Sequence, residues 1–299
     1  MPVSFLSQSQ RDNYDKYPSN LRSDMVANLF FLDDHDLEWL ASKRGDFSRL
    51  GCAVQLTTAR FLGTFITDLT SIPAMVIDRI GFQIKIDNPQ SCLLIYQNSE
   101  QRWRHAVEIR ARYDYVEFSK KGSRYRLGRF LCALCWTGTD RPGVLFDHAM
   151  GWLCTNKILL PGVTVLERFV AEVRSRMESR LWRLLIKNLT TSHQEKLNDL
   201  LVVEDDEHQS LLDKLRKGPV SVSSTALVKA FKRVESARSI SVKLPLSRIP
   251  ACRIAMLARF ANTAKITAIN RLPFGGSLQE GTEFPSTSLK PFTSLGCSQ

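Results

Sequence analysis

The stretch RLGCAVQLTTARFLG, residues 49–63, decides how the first part of the chain folds. Its apolar residues predict a helix with one buried face, made of Leu50, Ala53, Val54, Ala59, Phe61 and Leu62. Asp46 is placed to cap the start of this helix, and Gly63 is placed to end it in a left-handed turn. Arg49 and Arg60 fit either exposed phosphate contacts or internal ion pairs, and the spacing leaves both interpretations open.

Helix signals recur along the first 270 residues, whereas convincing strand signals do not. The strongest signal covers residues 164–189, where apolar residues follow helical spacing. Thr164 with Glu167 predicts a capping box at its start, and Ser192 with Glu195 repeats the pattern ahead of a further apolar run. The predicted fold class is therefore all-α and multi-helical.

Composition excludes several classes of protein. The chain has 299 residues, of which 43% are hydrophobic, so it can build real cores and is not globally disordered. No apolar run is long enough to span a membrane, and the N-terminus lacks the pattern of a secretory signal. Seven irregularly spaced cysteines are typical of thiols in a reducing compartment, so we expect a cytoplasmic protein.

The charge balance gives the first functional indication. The chain carries 41 basic and 30 acidic residues, for a net charge of +11 and an isoelectric point near 9.5. A basic surface attracts polyanions, most often nucleic acid. Charge alone equally fits a ribosome-associated or membrane-surface protein, or a protein that is simply basic.

Basic residues are most concentrated in QRWRHAVEIRARYDYVEFSKKGSRYRLGR, residues 101–129, which has nine basic and three acidic residues, a net charge of +6. Long cationic side chains suit phosphate contacts, and interleaved aromatic residues can support them. A basic helix followed by a basic loop predicts DNA binding. The candidate contacts are Arg102, Arg104, Arg110, Arg112, Lys120, Lys121, Arg124 and Arg126. The alternative is a solvated helix face whose aromatic residues serve the core.

A second basic set lies within residues 164–189, where the pattern favours an ordinary exposed helix face over a DNA contact. This set consists of Arg168, Arg174, Arg176, Arg180, Arg183 and Lys187.

One cysteine pattern resembles a zinc site by count. Cys132, Cys135, His148 and Cys154 have the spacing of a zinc finger. Both early cysteines fall in a predicted helix rather than in strands, so we favour buried thiols and predict no metal. The acidic run at 204–207 lacks the spaced ligands of a calcium loop and is interpreted as a solvated loop. No catalytic constellation and no phosphate-binding glycine loop is found, so no cofactor is expected.

Several blocks, in order, resemble the N-terminal region of the Tn-three family of replicative transposases. The first is KRGDFSRLGCAVQLTTARFLGTF (43–65), followed by RWRHAVEIRARYDY (102–115) and WTGTDRPGVLFDHAMGWL (136–153). The later blocks are ILLPGVTVLERFVAEVRSRMESRLWRLL (158–185), LNDLLVV (197–203), LDKLRKGP (212–219) and ALVKAFKRVESARSI (226–240). No single block would carry the resemblance, but their common order makes it specific.

The resemblance implies a helical region that binds the terminal inverted repeats of a transposon. Asp114 stands where the family usually has glycine, in a predicted turn. The likeness ends near residue 273, whereas family members continue into an RNase H-like domain whose Asp-Asp-Glu triad binds two metals. This implies a truncated chain that is catalytically inactive, because the two-metal site needs those carboxylates.

We therefore predict a DNA-binding region with two helical subdomains of helix-turn-helix character, residues 1–119 and 120–240. Residues 241–273 begin a third helical element, and residues 274–299, rich in Gly, Ser, Thr and Pro, are predicted to be a disordered tail. The expected partner is double-stranded DNA at terminal inverted repeats, and no association with a membrane is expected. We expect the protein to be associated with the bacterial nucleoid. The alternative is a helical regulatory protein that associates with a full-length transposase, or dimerises, without binding DNA.

Overall fold

The computed structural model describes residues 4–138, 141–187, 189–203, 209–217, 223–240 and 246–270, and it confirms the all-α prediction. The chain divides into two compact units, residues 1–178 and 179–299. The predicted subdomain boundaries at 119/120 and 240/241 differ from this division and stay predictions, as does their helix-turn-helix character. The predicted tail, 274–299, and the acidic run at 204–207 lie outside the described residues.

Within the described part of the chain, the first unit contains ten α-helices and one short pair of strands. The first six α-helices are α1 (Gln8–Asp12), α2 (Ser23–Leu29), α3 (Asp34–Ala41), α4 (Asp46–Leu62), α5 (Ala74–Ile84) and α6 (Pro89–Gln97). They are followed by α7 (Gln101–Arg112), α8 (Lys121–Thr137), α9 (Pro142–Thr155) and α10 (Val163–Ile186), whose last turns belong to the second unit. Strands β1 (Val116–Glu117) and β2 (Ile158–Leu159) pair in parallel.

Helix α4, which contains the stretch 49–63, is the centre of the first hydrophobic core. Residues 50–59 are all buried, and α3, α5, α6 and α7 pack around them. The contact with α6 is especially close, because a Cβ atom on Gly51 would lie 2.1 Å from the Tyr96 ring. The stretch is therefore scaffold, and Gly63 ends the helix with φ of 72° as predicted.

Polar side chains of α4 are buried as well, and the buried ones make at least one hydrogen bond each, although Oε1 of Gln55 is left without a partner. Thr57 donates to the carbonyl of Ala53 at 2.9 Å within the helix. Gln55 donates through Nε2 to the carbonyl of Arg102 at 3.2 Å, and Ser48 donates to Oε1 of Gln101 at 2.7 Å. Because buried polar groups must be paired, these two bonds fix where α7 begins.

In the structure, each of the two arginines of the opening stretch forms an ion pair with an acidic residue of the fold. Arg60 binds the buried carboxylate of Asp36 through two hydrogen bonds, of 2.6 and 2.8 Å. Tyr113, at the end of α7, donates to the same carboxylate at 2.5 Å. Arg49 pairs with Asp46 and donates to the carbonyl of Ile84 at 3.0 Å. Neither arginine is therefore available as a simple exposed phosphate contact.

The Asp36 cluster, defined as Asp36, Arg60 and Tyr113, joins α3, α4 and the end of α7. Burial raises the pKa of Asp36, but the hydrogen bonds from Arg60 and Tyr113 outweigh it and hold the pKa below its ordinary value. Burial and the bond to Asp36 raise the pKa of Tyr113 to about 12. The carboxylate is therefore charged and the phenol protonated, so the cluster stays hydrogen-bonded near neutral pH.

Three predicted caps are wrong in detail. Gly45 rather than Asp46 occupies the N-cap of α4. The Glu167 carboxylate accepts hydrogen bonds from the backbone N–H groups of Phe5, at 2.7 Å, and Leu6, at 3.1 Å, instead of completing a capping box with Thr164. The helix after α10, α11 (Thr191–Asp199), is capped two residues earlier than predicted, by Thr190. Local spacing predicted the helices, but α4 has no side-chain cap, Glu167 binds a segment distant in sequence, and Thr190 takes the place predicted for Ser192.

A second hydrophobic core joins α8, α9 and α10. Leu127 and Leu131 of α8 pack with Phe146 and Leu153 of α9, and Leu166 of α10 completes the group. The N-terminal segment is tied to this core by the bonds to Glu167 and by an ion pair between Arg11 and Glu167. This core fixes the face of α8 that points outward.

The second unit contains α11 (Thr191–Asp199), α12 (Leu211–Arg216), α13 (Ser224–Ile240), α14 (Ala251–Thr263) and α15 (Ile266–Asn270). Helix α11 packs on α13, where Lys196 donates to the carbonyl of Ser239 at 3.3 Å. Arg216 donates to the carbonyl of Ala264 at 2.9 Å. Within the described ranges, no helix is both long and apolar enough to span a membrane.

Replacing Gly51 by alanine should strongly destabilise the chain, because the added methyl group collides with the Tyr96 ring. We expect a loss of about 3 kcal/mol of unfolding free energy, at the upper end for overpacking of a core. The matched control is Gly151→Ala in α9, where nothing lies within 4 Å, and which should be neutral or slightly stabilising. Urea unfolding of both variants measures the difference; equal stabilities would contradict the packing described here.

Replacing Asp36 by asparagine should destabilise the chain by about 2 kcal/mol at pH 7, because the buried arginine contact loses its charge partner. The folded pKa of Asp36 lies below the unfolded value of about 3.9, so this contribution is present above about pH 4 and is lost as the pH falls further. The gap between variant and native stability should therefore narrow below about pH 4.

Urea unfolding between pH 3 and pH 7 checks this expectation. The control is Asp24→Asn, in the exposed pair between Arg22 and Asp24, which should leave stability nearly unchanged. A gap for Asp36→Asn that stays constant down to the lowest pH would show that the Asp36 charge is not what stabilises the fold.

Candidate nucleic-acid interface

The predicted basic stretch folds into α7, a connection that contains β1, and α8. In α7, His105 and Ile109 face the first core. In α8, Leu127, Leu131 and Cys135 recur every four residues and face the second core. Both helices therefore turn one apolar face inward and carry their basic residues on the remaining surface.

Three of the four arginines predicted on α7 are held by contacts within the fold. Arg102 donates to the carbonyl of Thr67 at 2.8 Å. Arg110 forms an ion pair with Glu117. Arg112 donates to Nε2 of His35 at 2.8 Å. These contacts occupy part of each guanidinium and, for Arg110, offset its charge.

Arg104 differs from its neighbours on α7. Its side chain is exposed, and it makes no hydrogen bond or ion pair with any residue that the structure describes. Trp103 beside it is 68% exposed, which is unusual for a tryptophan. The start of α7 therefore exposes one arginine that has no hydrogen-bond or ion-pair partner among the described residues, beside one large aromatic ring.

The arginines of α8 are held by aromatic rings instead of acids. The guanidinium of Arg124 lies 5.8 Å from the centroid of the Phe118 ring and 5.5 Å from that of Phe169. Arg126 lies 5.4 Å from the Trp152 ring and donates to Oδ1 of Asn156 at 2.7 Å. A neutral ring orients a guanidinium without cancelling its charge.

The basic face of α8, defined as the exposed surface that carries Lys120, Arg124, Arg126 and Arg129, is uncompensated. Arg124 and Arg126 are two residues apart, so they lie on different sides of the helix, Arg124 toward α10 and Arg126 toward α9. Residues 121–137 include no acidic residue. Among the described residues, none of the three arginines forms an ion pair, and all three are exposed. Lys120 is the exposed N-cap residue, and Lys121 is the first residue of the helix. The sequence analysis proposed Lys120, Lys121, Arg124 and Arg126 as DNA contacts. It did not propose Arg129, whose guanidinium lies 5.9 Å from the centroid of the Tyr125 ring.

The connection between the helices is shaped by the strand pair. Val116 is in register with Ile158, and Glu117 with Leu159, so the segment before α8 is tied to the segment before α10. Asp114 adopts φ of 60°, in the left-handed region where glycine is favoured and aspartate is tolerated. This agrees with a turn at the position where the resembled family has glycine.

The buried histidine of α7 serves the fold. Oη of Tyr96 and Nδ1 of His105 are 2.9 Å apart and hydrogen-bonded, and their rings stack. Burial, followed by the charge of Lys43, lowers the pKa of His105. The ring is therefore neutral at physiological pH and adds no positive charge to the surface.

The zinc-like residues lie on α8 and α9. Cys132 and Cys135 fall within a helix, as predicted, and Cys135 is buried. His148 and Cys154 are exposed on α9. Over the ranges that the structure describes, no group of three His, Cys, Asp or Glu side chains is placed to hold a metal ion.

The second basic set lies along α10. Its members, from Arg168 to Lys187, are exposed. Arg176 pairs with Glu172 one turn earlier. The acids of this helix make its surface less uniformly positive than the basic face of α8.

A family described as a domain of unknown function, DUF4158, matches residues 5–173. The chain is 38% identical over 274 residues to the transposase for transposon gamma-delta from Escherichia coli (strain K12), covering 91% of this chain and 27% of that protein. It is 30% identical over 261 residues to the transposase for transposon Tn1546 from Enterococcus faecium, covering 86% and 26%.

A third relative, the transposase for transposon Tn501 from Pseudomonas aeruginosa, is 29% identical over 255 residues and covers 85% of this chain. The chain thus spans about a quarter of the length of the curated relatives it matches. The resemblance to Tn-three family transposases is confirmed by these matches, and the chain belongs to the DUF4158 family.

Proposed function

We propose that this chain binds double-stranded DNA at the terminal inverted repeats of a transposon, and that the basic face of α8 is its main contact with the phosphates. The observation that carries the proposal is the set of three exposed arginines without ion-pair partners among the described residues, on a helix that has no acidic residue. The relatives are named transposases, and each name states the transposon concerned. A role in transposition needs recognition of transposon ends, which a basic helical surface supplies.

Aromatic support suits these arginines to phosphate binding. A guanidinium stacked on a ring loses little further conformational freedom when a phosphate approaches. Trp152 supports Arg126 from α9, and Phe169 supports Arg124 from α10. Both rings belong to the second core, so the orientation of these side chains is set by rigid helices.

The arginines of α7 take different places in this proposal. Arg104 is free to contact phosphate directly, beside the exposed ring of Trp103. Arg102, Arg110 and Arg112 stay predicted contacts, which reach DNA only through the N–H groups that their internal bonds leave unused. We therefore expect the α8 arginines to contribute more affinity than these three.

A second candidate is a regulatory protein that associates with a full-length transposase without binding DNA. It is favoured by the apolar face of α13, where Leu227, Val228, Phe231 and Val234 are each 49–63% exposed. Contiguous exposed apolar residues on one helix are typical of a protein interface. The two candidates differ in one property, because only the first predicts duplex affinity that falls with salt.

Removing charge from the basic face should weaken DNA binding. We expect Arg124→Gln with Arg126→Gln to lower duplex affinity about 10- to 100-fold and to reduce the log–log salt slope by roughly 2. Fluorescence anisotropy with a labelled terminal-repeat duplex, titrated at several salt concentrations, measures both quantities. Glutamine keeps part of each side chain over its ring, so thermal unfolding should change little.

The matched control is Arg168→Ala with Arg174→Ala, which removes the same charge from exposed positions of α10. An equal loss in both double variants would mean that net charge, not a located contact, governs binding. No measurable duplex affinity in the native chain, even at low salt, would favour the second candidate.

We further propose that these 299 residues recognise DNA without cutting or joining it, and that they do so in the bacterial cytoplasm, near the nucleoid. The absence of cutting and joining is supported by the length of the curated transposases, which are about four times as long as the matched region. With Mg²⁺ and terminal-repeat duplexes, we expect no strand-transfer product from this chain under conditions where a full-length transposase forms one. Gel analysis of labelled ends is the measurement, and magnesium-dependent cleavage would refute this part of the proposal.

A further inference from the structure

A cleft of about 470 Å³ opens beside the N-terminal end of α8. Its walls are mostly apolar and include Phe65, Phe118, Leu160 and Val165. Three separate segments build it together with Arg124 of α8: the loop after α4, the connection before α8, and the segment from β2 into α10. A cleft of this size holds a nucleobase together with its sugar.

The walls of the cleft are held by main-chain bonds. Leu160 N–H donates to the carbonyl of Gly63 at 2.8 Å, which joins the loop after α4 to β2. The β1–β2 pair joins the connection before α8 to the same segment. Tyr14 donates to the carbonyl of Pro161 at 2.7 Å. The cleft is therefore a formed feature of the first unit rather than a gap between loose loops.

The polar groups of the cleft are few. Arg124 and Glu117 are its two charged lining residues. Glu117 is already engaged, because it pairs with Arg110 and accepts from Ser119 at 3.1 Å. The hydroxyls of Thr64 and Ser119 add polar edges to otherwise apolar walls. The mostly apolar walls suit a flat ring with polar edges, and Arg124 suits the phosphate beside that ring.

The position of the cleft relates it to the DNA surface. Arg124 belongs both to its lining and to the basic face of α8, and Lys120 directly follows the lining residue Ser119. Phosphates held on α8 would place an adjoining nucleotide at the mouth of the cleft. Bases stack on aromatic side chains without regard to sequence, and the half-buried Phe65 offers such a ring in the wall of the cleft.

We propose that this cleft takes an unpaired nucleobase from DNA bound on the basic face of α8. The inference rests on the proposed DNA binding. It predicts that the chain prefers a duplex with one unstacked base over a fully paired duplex, since the base no longer has to be taken out of the stack.

The test compares three terminal-repeat duplexes: fully paired, with a single-nucleotide bulge of 2-aminopurine, and with an abasic bulge of the same flexibility. We expect the native chain to bind the 2-aminopurine bulge about 5- to 100-fold more tightly than the abasic bulge, the range for stacking one base. Fluorescence anisotropy gives the affinities, and 2-aminopurine emission reports the surroundings of the base. Equal affinity for the two bulges would overturn the inference.

Val165→Trp fills the cleft from its half-exposed wall and should remove the preference for the base. Its control is Val144→Trp, which adds the same ring at a similarly exposed position outside the cleft and should keep the preference. Circular dichroism and thermal unfolding establish that both variants are folded. A folded Val165→Trp variant that keeps the full preference contradicts the inference, whereas absence of binding to any duplex contradicts the proposed function itself.

Discussion

The burial of α4 on nearly every side is the constraint on which the first unit depends. A helix buried in this way must satisfy its polar side chains inside the protein, because an unpaired buried group costs about 1–3 kcal/mol. Ser48, and Gln55 through its Nε2, bond to the start of α7. Arg60 bonds to Asp36, which also accepts a hydrogen bond from Tyr113 at the end of α7. The same helix omits a side chain at Gly51 so that α6 can approach. The position of the basic helix α7 thus follows from the chemistry of the core.

The contrast between α7 and α8 shows how a protein can present the same residue type for two purposes. On α7, arginines bind a carbonyl, a carboxylate and an imidazole, so they help to hold the fold. On α8, arginines rest on aromatic rings and keep their full charge at the surface. The rings come from the second core, which therefore organises a cationic surface as well as stabilising the unit. The cleft beside Arg124 lies where this surface meets the strand pair.

Much of the fold follows from local pattern, whereas the partners of the charged residues do not. Apolar spacing and Gly63 predicted α4, and the helix that carries Cys132 and Cys135 was predicted from residue types alone. The partner of Arg60 is 24 positions away, and Glu167 reaches Phe5 across 162 positions, so no local rule identifies them. The candidate contacts were chosen by charge, which cannot separate an arginine paired with Glu117 from one stacked on Trp152. Only the positions of the side chains in the folded protein separate these two kinds of arginine.

Hydrogen–deuterium exchange with and without a terminal-repeat duplex tests the central claim most directly, because it locates the contact without altering a residue. We expect DNA to slow exchange in the segment from residue 113 through the first turns of α8, with a smaller effect at the start of α7. Exchange that slows only in α13, or nowhere while DNA is bound, would contradict the claim that the uncompensated arginines of α8 hold the duplex.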